Sequence, residues 1–128
     1  MIPRLAAALL CAAVPVAAGA QAAAVHREPL ETADFPGNGL HTVTVRTTID
    51  AGGTVPPHVH PGLEVAYVAS GTVAVTIGTA APRPVAAGGS FQVAPRTRHS
   101  VRNVGAGPAV VVSTYVVDPA APLATPAP

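Results

Sequence analysis

The sequence predicts an all-β fold in a single domain, and three observations carry that prediction. The chain has 128 residues, room for one hydrophobic core and too little for two. Its 15 prolines and 12 glycines interrupt it too often for long helices, whose interiors lose about 1 kcal/mol per glycine and about 3 per proline. Between those interruptions, apolar residues alternate with polar ones at the period of two that sets one face of a strand against a core. Hydrophobic residues make up 49% of the chain against 10% charged, which excludes the composition of disordered chains.

Residues 1–20 read as a secretory signal peptide. Arg4 supplies the leading positive charge, residues 5–18 an apolar run, and Ala18, Gly19 and Ala20 the small residues before a cleavage point. The run is too short to span a bilayer comfortably, and Pro15 breaks it. The protein is therefore expected to be exported, periplasmic or secreted, with no stable membrane insertion after cleavage. Cys11, the only cysteine, lies in that segment, so no disulfide is expected in the mature fold. Residues 21–38 form an N-terminal arm, ordered only if something holds it. Residues 39–117 are the β domain, and residues 118–128, rich in proline and alanine, an extended tail.

Within the domain, residues 40–49 alternate most clearly. Val43, Val45, Thr47 and Ile49 share one face, and Thr42, Thr44, Arg46 and Thr48 the other. Asp50, Ala51, Gly52 and Gly53 then turn the chain. Further strands are expected at 55–60, 63–69, 72–77, around Val85, and at 90–93, 99–103 and 109–117, with proline- and glycine-containing turns between them. Short strands at roughly 8- to 12-residue spacing suggest a sandwich or a barrel. All seven basic residues are arginines, dispersed against six acidic ones, and the chain holds two tyrosines, two phenylalanines and no tryptophan. Nucleic acid is not an expected partner, because neither a concentrated basic face nor a base-stacking platform is available.

The histidines carry the chemistry. His58 and His60 stand two apart in a strand-like stretch, which sends both side chains from one face, Glu64 follows beyond a Pro61-Gly62 turn, and His99 opens a later strand. Three imidazoles and one carboxylate can chelate one divalent transition metal with two octahedral positions left open. The lack of thiolates argues against a closed structural zinc site, but these donors do not choose among iron, manganese, nickel, copper and zinc. The bland reading is that these are exposed polar residues of a strand.

Residues 52–71, GGTVPPHVHPGLEVAYVASG, fill every specified position of G-x5-H-x-H-x3-E-x6-G with Gly52, His58, His60, Glu64 and Gly71. A chance match is roughly 3 × 10⁻⁵ over the mature chain. This stretch resembles the first motif of the cupin superfamily. Residues 88–103, GGSFQVAPRTRHSVRN, resemble the second, G-x5-P-x-G-x2-H-x3-N, through Gly88, His99 and Asn103. They depart from it at Ala94, where the proline belongs, and at Arg96, where the glycine belongs. An arginine there bears a cost for any positive φ that glycine takes freely. The resemblance covers about 80 residues and implies a single cupin jelly-roll barrel with metal at its centre, held by His58, His60, Glu64 and His99. It also implies a homodimer, with the N-terminal arm across the partner.

Two functions are compatible with such a barrel. One is a dioxygenase-like oxidoreductase acting on a small organic molecule, with Glu64 as proton acceptor as well as ligand; the other is a non-catalytic metal or small-molecule binding module. Other polar residues read as ordinary surface: His26, His41 and the arginines 96, 98 and 102, although that trio could form a basic rim beside His99. By parity, Leu63, Val65 and Tyr67 face away from the metal, whereas Ala66 and Val68 share its side and could line a small pocket. Phe91, Gln92 and Tyr115 are possible contributors without a place.

Overall fold

A computed structural model describes residues 22–128; the expected signal peptide at 1–20 lies outside the described residues. Ten strands follow in chain order: β1 (Val25–Phe35), β2 (Leu40–Ile49), β3 (Thr54–Val59), β4 (Leu63–Ser70), β5 (Thr72–Ile77), β6 (Arg83–Ala86), β7 (Ser90–Val93), β8 (His99–Asn103), β9 (Ala109–Val117) and β10 (Thr125–Pro126). No helix occurs among the described residues. The strands form two antiparallel five-stranded sheets, β1-β2-β9-β4-β7 and β10-β3-β8-β5-β6. From β2 to β5 and again from β6 to β10, the chain changes sheet at every step, which wraps the two sheets around a common interior as a jelly-roll barrel.

Strict alternation fixes which residues enter that interior. Along β2, Val45, Thr47 and Ile49 are buried, and β9 alternates buried and half-buried from Ala109 to Val117. One large core cluster contains Val55, Val68, Val73, Val75, Val85, Val93, Val101 and Val111 with Ile49, Ala66, Phe91 and Ala109. β-Branched side chains suit a pleated surface, and each fully buried valine stabilises the fold by roughly 1.5 to 3 kcal/mol. Ala66 and Val68 belong to this packed cluster and do not line the cavity described below, so the pocket suggested by their parity is filled by other side chains. Leu63, Val65 and Tyr67 do turn away from the interior, the last two being 48% and 51% exposed.

The turns follow the same economy. Gly71 joins β4 to β5 with φ +77°, and a Cβ there would meet the Ala109 Cα at 2.8 Å. Arg96 adopts φ +58°, alone among the described residues other than glycine in being left-handed. The second-motif turn therefore keeps its left-handed backbone although an arginine fills the glycine position, and the Arg96 N–H donates to the His60 carbonyl at 2.8 Å.

Two strands lie in segments without a strand pattern. β1 occupies most of the N-terminal arm and pairs with β2 of the same chain, from Val25 opposite Ile49 to Phe35 opposite Leu40, with a register shift between Pro29 and Glu31. The Ala24 N–H also donates to the Asp50 carboxylate at 3.0 Å. The C-terminal tail returns as β10 beside β3, tied by the Ala127 N–H to the Pro57 carbonyl at 3.0 Å and by Arg98 Nε to the Ala127 carbonyl at 2.9 Å.

Candidate metal centre

His58 ends the part of β3 paired with β8, His60 follows that strand, Glu64 is the second residue of β4 and His99 the first of β8. Val55 points into the core, so an unbroken β3 would turn 57 and 59 inward and both histidines outward. The β3–β8 register shifts between Val55 and His58, across Pro56 and Pro57. Proline cannot donate to a ladder, and the slip at this pair changes the parity. His58 then stands opposite His99 in register, and both His58 and His60 turn inward.

The four side chains meet. The three imidazoles offer nitrogens within 4.8 Å of one another, and the His58 and His60 Nε2 atoms are 3.1 Å apart. Glu64 Oε2 lies 3.1 Å from His99 Nε2 and 3.3 Å from His60 Nε2. His60, Glu64 and His99 are buried and His58 is half-buried. Each ring has its Nδ1 at a backbone carbonyl: His58 at Pro56 (2.8 Å), His60 at Leu123 (2.6 Å) and His99 at Thr97 (2.9 Å). A carbonyl only accepts, so every Nδ1 carries the proton, and in the neutral ring every Nε2 presents a lone pair to the same point.

Three lone pairs and a carboxylate facing one another repel unless a cation lies between them. Glu64 Oε2 is buried with no hydrogen-bond partner, since an imidazole Nε2 that presents a lone pair has no proton to donate to it. This donor set fits a divalent ion, for which a buried unpartnered carboxylate oxygen and neutral imidazole nitrogens are ordinary ligands. Without one, a proton has to serve. Burial pushes the Glu64 carboxyl up, but His60, His99 and Ser113 outweigh it and hold the group below the usual carboxylate range. Burial pushes His99 down, yet the Glu64 carboxylate and the Thr97 carbonyl raise it above its ordinary value. His58 is lowered, chiefly by burial and also by the neighbouring imidazoles.

A cavity of about 210 Å³ opens beside these groups. Val45, Ile49, Val55, Phe91, Val101 and Val111 give it apolar walls, and Thr47, Ser113 and Tyr115 place side-chain hydroxyls on its β2–β9 side. The Tyr115 ring lies 4.6 Å from that of His60, centroid to centroid, and its phenol is pushed up, mainly by burial and then by the Glu64 charge. Leu123 and Ala124 of the tail also line the cavity.

His58, His60, Glu64 and His99 thus come together as the spacing suggested, and Phe91 and Tyr115 find their place on the wall. Gln92 is exposed and His26 is at the surface. The arginines flanking His99 form no wall of the cavity: Arg98 ties down the tail, Arg96 borders a separate hollow against it, and Arg102 is exposed. Sequence reasoning missed Ser113, Arg27 and the Leu123 carbonyl. Ser113 had a signal, as an inward hydroxyl between Val111 and Tyr115; the carbonyl had none.

A family profile described as Cupin domain matches residues 45–115. Among solved structures, recombinant oxalate oxidase in complex with glycolate is 27% identical with TM-score 0.65, the alignment covering 80% of this chain and 54% of that one. A second oxalate oxidase structure is 28% identical, with TM-score 0.61 over 73% of this chain and 51% of that one. An RmlC-like cupin from Shewanella frigidimarina NCIMB 400 is 23% identical, with TM-score 0.55 and coverage of 70% and 86%. The chain spans about half the length of the oxalate oxidases it matches. No curated protein matches the sequence.

Proposed function

This chain belongs to the cupin family, and from that membership we propose that it is an exported metal-dependent oxidoreductase acting on a small organic molecule. In this reading His58, His60, Glu64 and His99 hold one divalent transition metal. The observation that carries it is the convergence of three Nδ1-protonated imidazoles on a buried carboxylate oxygen that has no partner. When bound, the metal would supply Lewis-acid and one-electron chemistry at its open positions. The protein's own residues do the rest. The backbone carbonyls of Pro56, Leu123 and Thr97 keep the rings in the ligating tautomer. The valine and phenylalanine walls exclude water around the substrate, and the hydroxyls of Thr47, Ser113 and Tyr115 offer it hydrogen bonds. The likeness to oxalate oxidases supports an oxidative reaction on a compact substrate. The same reading includes a homodimer, for which exposed Val65 and Tyr67 offer an outer apolar stripe.

A non-catalytic binding module is the competing reading. It is favoured by the absence, among the described cavity residues, of a base outside the histidine–glutamate cluster, since Tyr115 stays protonated.

Metal per chain, measured by elemental mass spectrometry, tests the site. Near one equivalent is expected in the parent and almost none in the His58→Ala/His60→Ala double variant; equal content in both would remove the reading. Oxygen uptake with catechols, β-diketones and 2-hydroxy acids then separates the two functions. Turnover that disappears in His60→Ala supports the enzyme, whereas tight ligand retention without turnover in any metal form supports the binding module.

A further inference from the structure

Neither motif contains the one arginine that reaches the cavity. Arg27 lines it from β1 and stands opposite Thr47 in register, itself a buried wall residue of β2. Directly paired residues share a face, so Arg27 is on the inner side of the sheet, where it is solvent-exposed at the cavity's edge, and Glu28 is on the outer. Glu28 is taken up there by Arg46 at 3.0 Å. Among the described residues Arg27 has no ion-pair partner, and among the cavity-lining residues only Arg27 and Glu64 bear a fixed charge.

The charge balance of the cavity follows. A divalent ion on three neutral imidazoles and Glu64 leaves a net charge of one plus, and Arg27 makes it two plus, within walls that are otherwise apolar or hydroxylated. Such a site favours an anion over a neutral molecule of the same shape. At about 210 Å³ the cavity is below the roughly 300–1,000 Å³ of sites for drug-sized ligands.

We propose that Arg27 is the anion-recognition residue of this cavity, and that its ligands are small carboxylates held between the guanidinium and the histidine cluster. The planar guanidinium suits a carboxylate because it can donate two parallel hydrogen bonds. The proposal rests on the metal reading above, and its test separates the two.

The probes are glycolate and its neutral isostere glycolamide, titrated calorimetrically into metal-loaded parent, Arg27→Gln and Arg27→Lys proteins, with metal per chain measured in each. The parent is expected to prefer glycolate. Arg27→Gln should weaken glycolate about tenfold or more, leave glycolamide and metal content unchanged, and be partly rescued by Arg27→Lys. Undiminished preference for glycolate in Arg27→Gln would overturn the proposal, because the metal alone would then hold the carboxylate. Equal weakening of both probes would also overturn it, by reducing Arg27 to a shape role. A parent that takes up no metal yet binds glycolate through Arg27 would sustain this inference while removing the metal reading.

Discussion

The two ends of the barrel interior bury polar side chains from the motifs, and they treat Asn103 and Glu64 in opposite ways. At one end Asn103 is 1% exposed and fully matched: its amide donates to the Ile49 and Gly107 carbonyls at 2.8 Å each, and its side-chain oxygen accepts the Gly105 N–H at 2.9 Å. At the other end Glu64 is 4% exposed and keeps one oxygen without a partner. The same strands run through both regions. β8 goes from His99 through Val101 to Asn103, β4 from Glu64 through Ala66 to Val68, and β9 from Ala109 and Val111 to Ser113 and Tyr115. Closed hydrogen bonding marks the end that holds the fold, and unsatisfied polarity marks the end where a ligand belongs.

The largest expected effect breaks the closed end. Asn103→Ala strands two carbonyls and an N–H, for a loss of about 3 kcal/mol and a fall of more than about 10 °C in thermal midpoint. Metal content per folded chain should stay unchanged; a shift of only a degree or two would show that Asn103 is dispensable and the contrast false.

A smaller effect sharpens the open end. In metal-free protein, Glu64→Gln is expected to change stability by no more than about 1 kcal/mol at pH 8, because His99 can shed its proton and leave no buried charge alone. The pH dependence carries the sign. Glu64 is lowered when folded, so its contribution is present above its ordinary 4.5 and fades as pH falls through its folded value. His99 is raised, so its contribution is present below its ordinary 6.5 and fades as pH rises through its folded value. Denaturant titrations of the metal-free pair should therefore show the parent's advantage greatest between about 4.5 and 6.5 and shrinking above. A constant difference across pH would deny the Glu64–His99 pairing.

The smallest effect lies in the turn beside the site. Arg96→Gly should relieve the φ of +58° and stabilise the protein by about 1 kcal/mol or less. A clear destabilisation would mean that the Arg96 side chain contributes more than its backbone costs.

The sequence made much of this legible where local chemistry decides. β2, β5, β7, β8 and β9 lie where alternation and turn residues put them, because one residue in two must face a core. His58, His60 and Glu64 could be read because the first motif is complete, and His99 because the second keeps its histidine. β1 was hidden for a physical reason: residues 26–34 are exposed on both faces and the register slips past Pro29, so burial imposes no regular period. β10 is two residues long and depends entirely on β3. Arg27 was invisible as a cavity residue for the same cause as β1, since its face is set by pairing with Thr47 rather than by its neighbours in the chain. Residues 55–60 read as one unbroken strand, whereas the register slips at Pro56 and Pro57, which changes the parity and turns the histidines inward.

The hydrogen bond from His60 to Leu123 spans 63 residues, and this separation imposes an order on synthesis. A growing chain possesses His58, His60, Glu64 and His99 well before the carbonyl that orients one of them. Until Leu123 has been added and β10, which follows it, has been laid beside β3, the His60 ring lacks the acceptor that chooses its tautomer. The cluster is thereby completed only after the barrel strands are made, and an ion that it could hold would meet all three imidazoles in the ligating tautomer only once that last segment has docked.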